Sequence, residues 1–337
     1  MENFINSAPI FLVVLLLAVG FVLLIKGADV FVDGSSSIAK RFHVPSLIIG
    51  LTIVSMGTSL PETAVSITAS IGGSNSLAIS NAIGSNLFNL MVVIGVCAIM
   101  ATVPVGQETI RGDIPFSAVC AGVLMLLGIL GIADVSGMTL GHLDGVLLLL
   151  LFAGYLAFLF RRTMKASKDH RMIPADAEVA EETEENYKVL PLSKSLLFIA
   201  IGIVGIAVGG DLTVDTASRI AMELGMSETL VGLTIVSIGT SLPELVTSVM
   251  AARKNEVGMA LGNAIGSNIF NILMVLGIAS AISPIALITE NIIDIVVLLV
   301  FTLIVWIFAA TKKKLNKTEG VIMLLLYVVY AVYICIR

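Results

Sequence analysis

Charge is scarce in this chain. Lysine, arginine, aspartate and glutamate make up 13% of its 337 residues, while hydrophobic residues reach 57%. Soluble domains run at about 25% charged, so an ordinary soluble globular protein is excluded. Basic residues are the scarcer sign, 19 against 24 acidic, for a net charge of −5. That leaves no positive field for a nucleic acid. Cysteine is limited to Cys97, Cys120 and Cys335. All three sit in apolar runs without metal spacing, and they read as small packing residues rather than a disulfide framework. The three histidines, His43, His142 and His170, lie far apart, in or beside connecting segments. A histidine metal centre is therefore not expected. Positive charge is also missing ahead of the first apolar run. The chain opens Met1-Glu2-Asn3-Phe4, and Lys26 follows the run from Pro9 to Ile25. That order predicts a first transmembrane helix rather than a cleaved signal peptide.

What the chain has in abundance is long apolar runs. Their lengths predict an all-α, polytopic membrane protein in contact with the lipid bilayer. Ten transmembrane helices are expected at about 9–32, 45–71, 77–101, 115–132, 143–161, 194–218, 229–252, 258–283, 291–311 and 319–336. Residues 161–194 interrupt this series and hold 14 of the 43 charged residues, basic first and then acidic. The stretch reads as a solvated linker. It divides the chain into a first five-helix repeat (1–160), a charged linker (161–193) and a second five-helix repeat (194–337). With the N-terminus placed outside, sixteen of the nineteen basic residues fall in loops on the inner face and two on the outer. The positive-inside rule then places both termini outside a cell membrane and the linker in the cytoplasm. Five helices per half is an odd number, so equivalent helices run in opposite directions, as inverted repeats.

The duplication is explicit. Residues 50–62 read GLTIVSMGTSLPE and residues 232–244 read GLTIVSIGTSLPE; residues 81–89 read NAIGSNLFN and residues 263–271 read NAIGSNIFN. The offset is 182, and Gly27, Asp29, Val32 and Asp33 recur as Gly209, Asp211, Val214 and Asp215. Shared hydrophobicity does not explain matched Thr, Ser, Pro, Glu and Asn. Inverted repeats place a substrate site near the bilayer midplane, where the halves meet.

The chemistry sits in the repeated segments. A carboxylate at helix-centre depth costs roughly 2.5–3.5 kcal/mol on insertion scales, so Glu62 and Glu244 must face protein. Ser55, Thr58, Ser59 and Glu62 fall at i, i+3, i+4 and i+7, one helical stripe, and Ser237, Thr240, Ser241 and Glu244 repeat it. Pro61 and Pro243 remove the helical donors of the Gly57 and Gly239 carbonyls. A second stripe carries Asn81, Ser85 and Asn89, repeated as Asn263, Ser267 and Asn271, with Asn81 and Asn263 nearer the helix starts. Every one of these donors is an oxygen ligand, the set that hard cations take; Ca²⁺ accepts 6–8 oxygens. Two negative charges suit one divalent ion, or monovalent ions in its place. One set of acids serving either occupant is the electrostatic basis of antiport. A channel is disfavoured, because channel filters come from rings around an axis. A membrane hydrolase would need a nucleophile and base, and the repeats hold no His or Cys. No enzyme activity, catalytic residue or cofactor is expected, and the reading is compatible with a monomer. Asp29, Asp33, Asp211 and Asp215 read as interfacial or capping groups at helix ends.

GTSLPE in each half, followed by NAIGSNLFN or NAIGSNIFN, resembles the two alpha-repeats of the sodium/calcium exchanger family, within the calcium/cation antiporters. The resemblance covers essentially the whole chain. It implies Na⁺-driven Ca²⁺ exchange by alternating access, with Ca²⁺/H⁺ or other divalent antiport as the nearest alternative. It implies Glu62 and Glu244 as central carboxylates, with Thr58, Ser59, Thr240 and Ser241 beside them. Ser85, Asn89, Ser267 and Asn271 follow on the next helices, and Ser55 and Ser237 match positions that contribute backbone oxygen. Some relatives carry Asp at the position of Asn271; here both halves have Asn, leaving two carboxylates at the centre.

Overall fold

Proline marks where the helices begin. The computed structural model describes residues 2–73, 75–130, 138–168, 189–226 and 237–336. Pro9, Pro45 and Pro191 stand immediately before helices Ile10–Arg41 (α1), Ser46–Thr58 (α2) and Leu192–Glu223 (α7). Their fixed φ and missing N–H are tolerated at this position, where no helical partner exists. Between them run Leu60–Ile71 (α3), Asn75–Met100 (α4), Thr109–Leu130 (α5) and His142–Lys165 (α6). After α7 come Leu242–Arg253 (α8), Val257–Ile282 (α9), Thr289–Lys312 (α10) and Lys317–Ile336 (α11).

Eight helices among the described residues are long and apolar enough to cross a membrane. The pair α2 and α3, bent by 47° at Ser59, makes a ninth span. The expected span 229–252 is described only from residue 237 on; residues 227–236, which include most of the second GLTIVS, lie outside the described residues. So do 169–188 of the linker, and His170 with them. The linker begins later than the sequence suggests. The helix of α6 continues to Lys168, and Arg162 is held within it.

Burial is arranged for an apolar solvent. Buried positions include Ser, Thr, Asn and Glu, whereas Phe11, Leu15, Val22, Leu150, Phe158, Leu197, Leu325 and Val329 are exposed. Lipid accepts such a surface and water does not. In α4 and α9, 72% and 78% of the most apolar stretch is buried, against 22% in α1 and α11. The two NAIGSN helices are therefore the centre of the bundle. Long α1 and α7 pack against each other outside it. A Cβ on Gly27 would stand 2.7 Å from the Ile206 backbone nitrogen, so only glycine lets the two helices approach so closely.

The duplication extends to the turns. His43 (φ 51°) and Gly225 (φ 92°) end α1 and α7 in the left-handed region, and Gly73 (φ 76°) and Asn255 (φ 61°) end α3 and α8 likewise. Both pairs keep the offset of the sequence repeat. Two-residue strands then tie the halves together. Val103–Pro104 pairs antiparallel with Lys314–Leu315, and Thr139–Leu140 with Ile285–Ala286. An ion cluster also staples α6 to the start of α5. Arg162 contacts Asp113 and Glu108, each at 2.7 Å.

Candidate functional site

The two repeated glutamates occupy the same local setting. The first helix of each pair stops at a serine, Ser59 (φ −85°, ψ 12°) or Ser241 (φ −92°, ψ 2°), and a new helix starts with Leu-Pro-Glu. Pro61 and Pro243 thus sit in a first turn, where a missing N–H is harmless, and not inside a continuous helix as the expected spans would have it. The sequence expectation that the Gly57 and Gly239 carbonyls lose their i+4 donors holds, but the break falls at the serine. Glu62 and Glu244 enter the first turn of α3 and α8, where the helix dipole favours an anion. Both are fully buried.

The hydrogen bonds around them cross between the halves. Ser59 Oγ donates to Glu244 Oε1 at 2.8 Å. Ser241 Oγ in turn lies 3.5 Å from Glu62 Oε1. Thr58 Oγ1 donates to Asn263 Oδ1 at 3.0 Å, and Thr240 Oγ1 to Asn81 Oδ1 at 3.2 Å. Behind these, Asn81 Nδ2 donates to Ser66 Oγ (3.3 Å) and Asn263 Nδ2 to Ser248 Oγ (2.9 Å). These six contacts form three pairs, each related by the offset of the sequence repeat. Ser267 Oγ lies 3.0 Å from Ser59 Oγ and 3.4 Å from Glu244 Oε1. Ser85, the mate of Ser267 in the repeat, is likewise buried, and its Oγ has no hydrogen-bond partner. The structure therefore brings together Glu62, Glu244, Ser59, Ser241, Ser85 and Ser267, with Thr58 and Thr240 beside them.

Asn89 and Asn271 are fully buried and open π-helical turns, Asn89–Val93 and Asn271–Val275. Such turns free backbone groups and recur at functional sites. Ser55 is buried; its Oγ donates to the Thr52 carbonyl at 3.2 Å, and its own carbonyl accepts the Ser59 N–H at 3.0 Å. The side chain of Ser237 lies outside the described residues. Asn81 and Asn263 buttress the threonines, each oxygen accepting one hydroxyl.

Several buried oxygens have no hydrogen-bond donor: Glu62 Oε2, Glu244 Oε2, Asn89 Oδ1 and Asn271 Oδ1. A buried carboxylate with an unused oxygen is strongly unfavourable unless a cation or a proton neutralises it. No group of three or more His, Cys, Asp or Glu side chains forms a metal cluster among the described residues. The charge available is that of two carboxylates. A cavity of about 660 Å³ reaches Leu60 and Pro61, next to Glu62 in the chain, and Asp211, Thr68 and Gly72 also line it.

For the four aspartates the capping half of the sequence reading does not hold. They are not helix-end caps, because each lies inside long α1 or α7. Asp29 and Asp33 bind Lys254 Nζ at 2.7 and 2.6 Å, while Asp211 borders the cavity. Sequence reasoning also misses Asn86 and Asn268, the second Asn of each NAIGSN. Asn86 Nδ2 donates to the Asn268 carbonyl and Asn268 Nδ2 to the Asn86 carbonyl, both at 3.1 Å. Their identical place in the two motifs is the available signal.

Comparison with known proteins gives a consistent picture. The profile of the sodium/calcium exchanger protein family matches residues 12–161 and 194–336. A putative antiporter, CaxA, from Alkalimonas amylolytica is 37% identical over 93% of this chain and 95% of its own. Sodium/calcium exchanger MaX1 from Methanosarcina acetivorans is 31% identical over 94% and 97%. Among solved structures, the sodium-calcium exchanger NCX_Mj, soaked with zero Na⁺ and Ca²⁺, superposes with a TM-score of 0.79. It is 32% identical, covering 97% of this chain and all of that one.

Proposed function

The chain belongs to the sodium/calcium exchanger family and is a multi-pass membrane cation antiporter; within that family we propose that it exchanges Na⁺ for Ca²⁺ by alternating access. The cations are held between the halves, near the midplane, by Glu62 and Glu244. Thr58, Ser59, Ser85 and Asn89 and their mates Thr240, Ser241, Ser267 and Asn271 complete the shell, with backbone oxygen from Ser55 and Ser237. The observation that carries this reading is the crossed pairing. Each half holds the other's carboxylate through a serine, and each carboxylate keeps one buried oxygen free. Two charges among neutral oxygens match one Ca²⁺, or Na⁺ ions in its place.

The sequence duplication supports ten spans in two inverted five-helix repeats, with 229–252 as the tenth. The distribution of basic residues supports termini outside a cell membrane and the linker in the cytoplasm. Uptake of Ca²⁺ into proteoliposomes tests the proposal. An outward Na⁺ gradient is expected to drive uptake, and external Na⁺ to compete with Ca²⁺. Uptake driven by a pH gradient and indifferent to Na⁺ would replace Na⁺ by H⁺ as the coupling ion.

A further inference from the structure

The crossed network loses its symmetry at the asparagines. Asn86 Nδ2 is committed to the Asn268 backbone carbonyl at 3.1 Å. A carbonyl can only accept, so the Asn86 amide is fixed with its nitrogen there and Oδ1 on the other side. Asn271 Nδ2 donates to that Oδ1 at 3.1 Å. The Asn271 amide is therefore also fixed, nitrogen toward Asn86 and Oδ1 away from it. That Oδ1 is buried and has no donor. It lies four residues after Ser267, on the helix face from which Ser267 reaches Glu244.

The mirrored contact is missing. Asn268 Nδ2 is equally committed, to the Asn86 carbonyl. Yet Asn268 Oδ1 has no partner, and neither amide atom of Asn89 has one. The two asparagines that open the π-helical turns thus differ, although their motifs are the same. One amide is preset with its oxygen turned away from Asn86; the other has neither amide atom committed. An amide nitrogen repels a cation, so the difference decides whether a ligand is in place before the ion arrives.

We propose that Asn86 is a positioning residue for the cation: through its contacts with the Asn268 carbonyl and Asn271 Nδ2, it holds the Asn271 amide oxygen toward the carboxylate cluster. The inference rests on the ligand set proposed above. It assigns Asn86 no contact with the ion. Its effect is carried wholly by the orientation of Asn271, and that makes it separable from a structural role. A carboxylate at position 271 would present an oxygen whichever way it turned, and would make Asn86 dispensable for binding.

The test is a double-mutant cycle on the purified full chain, read by Ca²⁺ titration and by thermal melting. Asn86→Ala is expected to weaken Ca²⁺ binding about five- to tenfold, within the usual range of coupling between contacting residues. In an Asn271→Asp background the same substitution is expected to change affinity less than about twofold. Asn268→Ala removes an equivalent bond to backbone without touching Asn271, and it too is expected to stay within about twofold of the parent. Equal losses for Asn86→Ala in both backgrounds, or an equal loss for Asn268→Ala, overturn the proposal in favour of packing. If the alanine variant does not survive extraction, Asn86→Leu fills the same volume and takes its place in the cycle. Asn271→Leu separates the two levels of inference: parent-like Ca²⁺ binding in that variant removes Asn271 from the ligand set, and with it the reason for Asn86.

Discussion

Neutralising one glutamate without changing its shape is the sharpest perturbation available. In Glu244→Gln the amide oxygen can still accept from Ser59, at the present 2.8 Å. What is lost is a unit of charge, and an NH₂ group replaces the unpartnered Oε2. At about 4 Å and an effective dielectric of about 20, unit charges interact by about 4 kcal/mol, so one carboxylate and a divalent ion interact by about 8 kcal/mol. A micromolar site is worth about 8 kcal/mol in all. Removing either charge therefore takes Ca²⁺ binding out of reach at any practical concentration. A monovalent ion loses about half as much. The apo protein should respond in the opposite sense. Two fully buried carboxylates, each with an oxygen that no donor meets, destabilise the empty fold, so Glu62→Gln and Glu244→Gln should each melt higher than the parent without ions. They should also lose the stabilisation that Ca²⁺ confers on the parent, about 2.7 kcal/mol at a hundredfold excess over Kd. Melting with and without Ca²⁺, beside uptake into proteoliposomes at matched reconstitution, reads both effects. Parent-like Ca²⁺ transport in both variants would show that the carboxylates are structural.

Smaller perturbations should give graded effects. Thr58→Val removes one hydroxyl, now 3.0 Å from Asn263 Oδ1; a single neutral hydrogen bond is worth about 1 kcal/mol, so the KM for Ca²⁺ should rise less than about tenfold, and complete loss of transport would contradict a flexible neutral shell. Arg162→Met leaves Asp113, 3% exposed, without its cation; breaking such a pair costs about 3 kcal/mol, and an unchanged melting temperature would show that the pair contributes nothing. For topology, Cys335 is exposed whereas Cys97 and Cys120 are buried. Cys335 lies in the last turn of span α11, so it is replaced by serine before an impermeant thiol reagent is applied. Ala175→Cys in the linker should react only after the membrane is opened, and the reverse pattern would invert the orientation.

Much of this architecture is legible in the sequence because the bilayer demands simple patterns. Apolar runs long enough to span it locate α4, α9, α10 and α11 to within about two positions, whereas α5 begins at Thr109 rather than 115 and α6 runs on to Lys168 rather than 161. Hydropathy reads α1 too short. Its later turns carry Asp29, Asp33, Lys40 and Arg41, and a hydropathy argument stops at such residues although the backbone continues to Arg41. Asp29 and Asp33 look like end groups for the same reason. Their actual partner, Lys254, belongs to the other half of the chain, and no local rule connects them. The site is legible at the level of composition, since polar residues in a membrane helix need a purpose.

Pairing is not legible, and the asparagines show why. A stripe at i, i+4, i+8 names the residues that share a face, and so it groups Asn81, Ser85 and Asn89 together. Periodicity cannot say which member spends its hydrogen bonds on protein and which keeps them for a ligand. That division depends on the neighbouring helix. Asn81 and Asn263 have Thr240 and Thr58 opposite their oxygens, and each accepts one hydroxyl. Asn89 and Asn271 have no donor opposite theirs. Asn86 falls off the stripe by one residue, which turns it toward the other NAIGSN helix and the Asn268 carbonyl. A duplicated motif thus yields three kinds of asparagine: one that buttresses a hydroxyl, one that ties the repeats together, and one left with an oxygen free for a cation.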